Sequence, residues 1–163
     1  NIYFFNFRKK KFYFIVYLIT TITIWSILLI VNNKIKYITE FANFFKNNYL
    51  LGISLTIIMF SMAGIPPLAG FIAKFYTFFV CIENDVLLPA IFAIVISVIT
   101  AFYYIRFIKI MYFENSKNNY IYVNISKPLA LIISALTLIL LTLCLNPNFI
   151  FVITHYISLY LCI

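Results

Sequence analysis

The sequence predicts an all-α membrane protein of about five transmembrane helices, one of them broken. Three observations predict it. The chain has 163 residues, of which 65% are hydrophobic and only 10% charged, whereas an ordinary soluble domain is about 45–50% apolar. Apolar runs recur along the chain, bounded by basic or polar clusters, and about 20 such residues cross a bilayer core. One stretch is interrupted by Gly64-Ile65-Pro66-Pro67, a sequence that resists helix continuation.

The first crossing is read at 12–31, behind the basic cluster Arg8-Lys9-Lys10-Lys11. Thr20, Thr21, Thr23 and Ser26 give it a polar face suited to helix packing. Residues 32–48 form a polar connection. Within it Ile38, Phe41, Phe44 and Phe45 recur at helical spacing, which predicts a short helix lying in the membrane interface, with an irregular loop as the alternative. The second and third crossings are read at 49–63 and 68–82, both short for the bilayer core. One long kinked helix from Tyr49 to Ile82 is the alternative. Glu83-Asn84-Asp85 reads as an acidic solvated turn. The fourth crossing is read at 86–105, with Pro89 in its first turn, where a missing N–H does little harm. It runs on into the aromatic and basic stretch Arg106 to Glu114. After a polar loop, the fifth crossing is read at 129–145, behind Pro128. The remaining segment, 149–163, is too short to span and is expected to lie along the surface. It carries His155, read as an interfacial side chain.

The formal charge of +8 does not indicate nucleic acid here. The basic residues cluster at the ends of apolar runs, where they set topology and touch anionic head groups, cardiolipin among them. With five crossings, Arg8, Lys9, Lys10, Lys11, Arg106, Lys109, Lys117 and Lys127 share one side, eight of the twelve basic residues. By the positive-inside rule that side faces a cytoplasm or a mitochondrial matrix. Cys81, Cys144 and Cys162 form no C-x-x-C pair. They read as small buried hydrophobes, and with one histidine they build no haem or iron–sulfur site. No small-residue cleavage site follows Val31, so a secretory signal is not expected. The chain starts at Asn1 without methionine. A missing start, a piece of a longer membrane protein and unusual initiation all remain open.

Lys74 is the informative residue. No acidic residue lies within eight positions of it. A lysine at mid-bilayer depth costs about 2.5–3.5 kcal/mol on insertion scales, so it faces a protein or water-filled interior and marks an ion pathway. The break before it (Gly64, Pro66, Pro67, with Gly70 following) leaves backbone groups that a polar cavity would satisfy. An interrupted helix beside a buried ionisable group is a sequence pointer to a transport site.

The run Ser61-Met62-Ala63-Gly64-Ile65-Pro66-Pro67-Leu68-Ala69-Gly70-Phe71-Ile72-Ala73-Lys74-Phe75-Tyr76 closely resembles the hallmark of the subunit 2 family of NADH:ubiquinone oxidoreductase, in the membrane arm of respiratory complex I. The spacing onward to Ala101-Phe102-Tyr103-Tyr104-Ile105-Arg106-Phe107-Ile108-Lys109 fits, as does a last helix ending near Asn146-Pro147-Asn148. The resemblance spans roughly residues 12–155. A related antiporter-like subunit typically carries glutamate at the position of Lys74, and another lacks the Gly-Ile-Pro-Pro run, so the motif favours subunit 2. The match covers the C-terminal part of the antiporter-like fold. It implies a split or fragmentary subunit whose N-terminal half lies on another chain.

The resemblance implies a proton-translocating subunit that couples NADH:ubiquinone electron transfer to pumping, with Lys74 as the proton carrier of a half-channel. Desolvation disfavours an ammonium while a nearby opposite charge or hydration favours it. A lysine in a switching environment can therefore load and release a proton. Moving one charge through 100 mV takes about 2.3 kcal/mol, comparable to a pKa change of under two units. Tyr76, Tyr103 and Tyr104 are candidates to hold a water chain, with packing as the alternative. Arg106 and Lys109 read as membrane-edge anchors, with proton uptake as their other role. The chain itself is expected to bind no cofactor and no metal. Flavin, iron–sulfur clusters and quinone belong to other subunits, and other membrane-arm subunits are the expected partners. The expected location is the mitochondrial inner membrane, or a bacterial plasma membrane. Two other functions compete: a fragment of a multisubunit cation/proton antiporter, and a non-conducting scaffold.

Overall fold

Helices account for nearly every described residue, and the reason is the solvent. Backbone groups facing lipid must be paired within their own segment, which a helix does and an open strand does not. The computed structural model describes residues 2–31, 38–42, 44–66, 68–114, 126–146, 152 and 156, with side chains from Lys11 onward except those of 39, 45 and 47. The side chains of Arg8, Lys9 and Lys10, Pro67, His155 and most of the expected surface segment 149–163 lie outside the described residues.

Helix α1 spans Ile2–Val31, then a 3₁₀ turn covers Ile38–Phe41 and a short α2 covers Phe44–Asn47. Helices α3 (Tyr49–Ala63) and α4 (Ala69–Glu83) follow, separated by the break. Helix α5 spans Leu87–Phe113 and α6 spans Lys127–Leu145. The five long helices and the break are those the sequence predicts. Within α1, residues Lys11–Val31 are long and apolar enough to cross a membrane, and so are α5 and α6. Helices α3 and α4 have 15 residues each, about 22 Å at 1.5 Å per residue.

Helix α1 is the central element, packed against α3, α4 and α6. Phe12, Val16, Ile27 and Val31 bury its apolar stripe. Thr20 and Thr23 are buried on it as well. Thr20 Oγ1 donates to the Tyr17 carbonyl at 2.8 Å, and Thr23 Oγ1 donates to the Ile19 carbonyl at 2.9 Å. A hydroxyl shielded from water must find such a partner. Helix α5 packs against α3 and α4, with Ile108 and Met111 in the core and most of its apolar residues outward. Outward apolar side chains suit lipid or further helices.

In the connection after α1 the residues at helical spacing divide between the surface and the core. Ile38 is exposed, but Phe41 and Phe44 are buried. Phe41 packs on Phe44 (centroids 5.5 Å apart) and edge-on against Phe107 of α5 (5.1 Å). Phe41 and Phe44 thus join the core beside α5.

Candidate functional site: a lysine on a broken helix end

Helix α3 ends at a glycine turn. Gly64 adopts φ +82°, the left-handed region, which costs glycine little because it has no Cβ. The Gly64 N–H donates to the carbonyls of Phe60 and Ser61, at 3.1 Å each, and the Ile65 N–H donates to Phe60 at 3.2 Å. This is the Schellman arrangement, which satisfies two of the last carbonyls of a helix. Met62 and Ala63 are not reached by it. Their partners in a continuing helix would be the N–H groups four residues on. Those positions are Pro66 and Pro67, which have no N–H.

Lys74 takes both orphaned carbonyls. Its Nζ donates to Met62 O at 2.9 Å and to Ala63 O at 3.1 Å. The negative end of the α3 dipole faces the same ammonium. No carboxylate among the described residues pairs with it. The glycine at 64 also leaves room for the side chain: a Cβ there would stand 3.0 Å from Lys74 Cδ and 3.3 Å from Nζ.

The first turn of α4 lies against the last turn of α3. The Gly70 N–H donates to Ser61 Oγ at 3.2 Å. A Cβ at position 70 would overlap the Ser61 carbonyl oxygen and stand 2.7 Å from its carbon. Glycine is the residue that permits this approach.

Lys74 also lines a cavity of about 470 Å³ walled by α1, α3, α4 and α5. Helix α1 contributes Tyr13, Tyr17 and Thr20, α3 contributes Ser61, α4 Lys74 and Thr77, and α5 Ser97, Thr100 and Tyr104. Thr77 donates to the Lys74 carbonyl at 2.7 Å, Ser97 to Ile94 at 2.7 Å and Thr100 to Ser97 at 2.9 Å. With Thr20, these hydroxyls spend their hydrogens inside their own helices and present acceptor oxygens to the cavity. These oxygens are scattered over a lining that is mostly apolar, with Val16, Phe78, Ala93 and Ile96 among its other residues.

The structure brings together only part of the residue set read from the sequence. Lys74, Gly64, Gly70 and Tyr104 meet at the cavity or the break. Pro66 is exposed in the turn. Tyr76 packs edge-on against Phe12, with centroids 6.0 Å apart, and lies off the cavity lining. Tyr103 is 61% exposed and also off the lining. Arg106 and Lys109 are exposed near the end of α5, and Glu83 and Asp85 are exposed at the α4–α5 turn. The residues missed are Tyr13, Tyr17, Ser61, Thr77, Ser97 and Thr100. Thr20, which the sequence assigns to helix packing, lines the cavity as well. A signal existed: Tyr13-Tyr17-Thr20, Lys74-Thr77 and Ser97-Thr100-Tyr104 are polar stripes at steps of three or four residues within apolar helices.

A bundle of apolar helices with a part-buried amine at a helix break defines a multi-pass membrane protein. The chain belongs to the family described as "NADH:quinone oxidoreductase/Mrp antiporter, TM", matched over residues 4–100. It is 40% identical over 149 residues to NADH-ubiquinone oxidoreductase chain 2 of Marchantia polymorpha, covering 91% of this chain and 30% of that protein. It is 41% identical over 111 residues to NADH-quinone oxidoreductase subunit N of Pelagibacter ubique, covering 66% of this chain and 24% of that protein. The fold matches a chain of respiratory complex I from Thermus thermophilus with bound aureothin. The TM-score is 0.77 at 22% identity, over 90% of this chain and 34% of that one. The chain thus spans less than a third of the length of these curated relatives.

Proposed function

We propose that this chain is the C-terminal part of a proton-translocating membrane-arm subunit of respiratory complex I, and that Lys74 carries the proton. The observation that carries the reading is the setting of the Lys74 amine. It lies on an open-sided cavity whose mostly apolar lining carries scattered hydroxyls, and it is held by two backbone carbonyls and by no carboxylate among the described residues. Carbonyls and a helix dipole stabilise an ammonium without being protonated themselves. The amine is therefore the titrating group at the break. Water entering or leaving the cavity changes how well its charge is solvated, which gives a means to load and release one proton.

The rest of the antiporter-like unit completes the cavity, whether it is continuous with this chain or supplied by another. The side bearing Arg8 to Lys11 and Arg106 to Lys127 faces the matrix or cytoplasm. Electron transfer and its flavin, iron–sulfur clusters and quinone reside in other subunits. The location is the mitochondrial inner membrane or a bacterial plasma membrane, with anionic lipid at the basic rim.

The test is a pair of substitutions in the assembled complex. Lys74→Met removes the titrating group. Lys74→Arg keeps donors for Met62 and Ala63 but does not release its proton. Both are expected to lower the protons translocated per NADH oxidised, measured in sealed vesicles. An assembled Lys74→Arg complex that pumps as the unaltered one does would overturn the reading. Copurification with flavin and iron–sulfur proteins separates complex I from a stand-alone antiporter.

A further inference from the structure

We infer that Ser61 is a positioning residue for Lys74: its hydroxyl fixes the register of α4 on α3, so that the lysine ammonium reaches both orphaned carbonyls. The inference rests on Lys74 being the working group proposed above.

Helix α4 starts without a cap of its own. Its N-cap is Leu68, whose side chain makes no capping hydrogen bond, and the first N–H groups of any helix lack partners within it. One of these, the Gly70 N–H, is satisfied by the neighbouring helix through Ser61 Oγ, at 3.2 Å and out of contact with solvent. Ser61 is 1% exposed. The bond thus acts as an N-cap given by α3 to α4, replacing the Ser, Thr, Asp or Asn that a helix commonly carries at its own start.

Its location gives it leverage over the lysine. Gly70 and Lys74 are four residues apart, so they lie on one face of α4 a turn from each other. Ser61 immediately precedes Met62 and Ala63, whose carbonyls hold the ammonium. One hydrogen bond at the base of this ladder therefore sets where the amine falls, one turn away. The fit is tight at both ends. Position 70 has no room for a Cβ beside Ser61, and a Cβ at position 64 would press on Lys74 Cδ. Ser61 also lines the cavity, so loosening the clasp frees the amine from its carbonyls beside that space.

The experiment reads the amine directly. The assembled complex in membrane vesicles is treated with acetic anhydride, a small permeant acylating agent, at fixed pH. Acetylation of Lys74 is then followed by peptide mass spectrometry. An ammonium held on two carbonyls is unreactive, because acylation needs the free amine. Ser61→Ala is expected to raise the labelling rate of Lys74 about threefold or more, in line with losing one buried hydrogen bond. Ser61→Thr, which keeps the oxygen, is expected to restore the unaltered rate. If Ser61→Ala does not assemble, Ser61→Cys supplies a near-isosteric side chain with a weak acceptor and is expected to raise the rate in the same sense.

Labelling at the unaltered rate in Ser61→Ala, or in Ser61→Cys where that variant stands in, overturns the inference. So does equally fast labelling in Ser61→Thr and Ser61→Ala. Proton pumping by Lys74→Met is measured alongside. Normal pumping there with raised labelling in Ser61→Ala removes the carrier role and leaves the clasp intact. Lost pumping there with unchanged labelling does the reverse.

Discussion

The Nζ of Lys74 lies 2.9 Å from the carbonyl oxygen of Met62, twelve residues earlier in the chain. That contact joins two facts of the sequence. Pro66 withholds the N–H that would have satisfied Met62, and the lysine of the next helix supplies a donor in its place. The neighbouring carbonyl of Ala63 repeats the relationship with Pro67 and the same amine, at 3.1 Å. The double proline and the lysine are thus one device, in which the break creates acceptors and the lysine consumes them.

Gly64→Ala is expected to destabilise the break. The left-handed region costs a residue with a Cβ about 1–2 kcal/mol, and that Cβ would press on Lys74 Cδ at 3.0 Å. A lower thermal midpoint for the solubilised complex, together with reduced proton translocation, checks it. A variant unchanged in both would show that the turn adapts without the lysine.

Gly70→Ala is expected to be more damaging than Gly64→Ala. The added carbon meets rigid backbone at Ser61, whereas at position 64 it meets a flexible side chain. Overpacking of this kind costs about 1–3 kcal/mol. It also pulls α4 away from α3. The measurement is the yield of assembled complex, which should rank Gly70→Ala below Gly64→Ala.

Tyr103→Phe and Tyr104→Phe should differ although the residues are adjacent. Tyr104 lines the Lys74 cavity while Tyr103 points outward. Removing the phenol oxygen is expected to slow proton translocation at Tyr104 and to leave it unchanged at Tyr103. Initial rates of vesicle acidification resolve the pair, and equal rates would exclude the cavity as the route.

Phe12→Ala tests how the bundle is held together. Phe12 is fully buried and meets Tyr76 edge-on. In a water-soluble core the change costs about 3–5 kcal/mol. Between helices in lipid, burial removes no surface from water, and lost packing dominates. The loss of thermal stability in bilayers is therefore expected to fall below that range.

The membrane fold was legible because apolar runs, their basic ends and the proline break are local properties. Lys74 stood out for the same reason, as a lone charge in an apolar stretch. At the aromatic and basic end of α5 the sequence did not separate one position from the next. Tyr103, Arg106 and Lys109 are as prominent in sequence as Tyr104, yet consecutive helix positions differ by about 100° in direction, and only Tyr104 turns to the cavity. Ser61 gave no local signal, since its partner is the backbone of glycine 70, nine residues away across the break.

The sequence by itself determined the solvent, the long helices, the site of the break and the presence of one costly charge, because each follows from composition over a short window. Tertiary structure alone decided what that charge touches. The ammonium meets the carbonyls of Met62 and Ala63 only because a serine and a glycine let two helix ends close on one another. Hydrogen bonds are short-ranged and directional, so such a partnership is fixed by the packing of the helix ends.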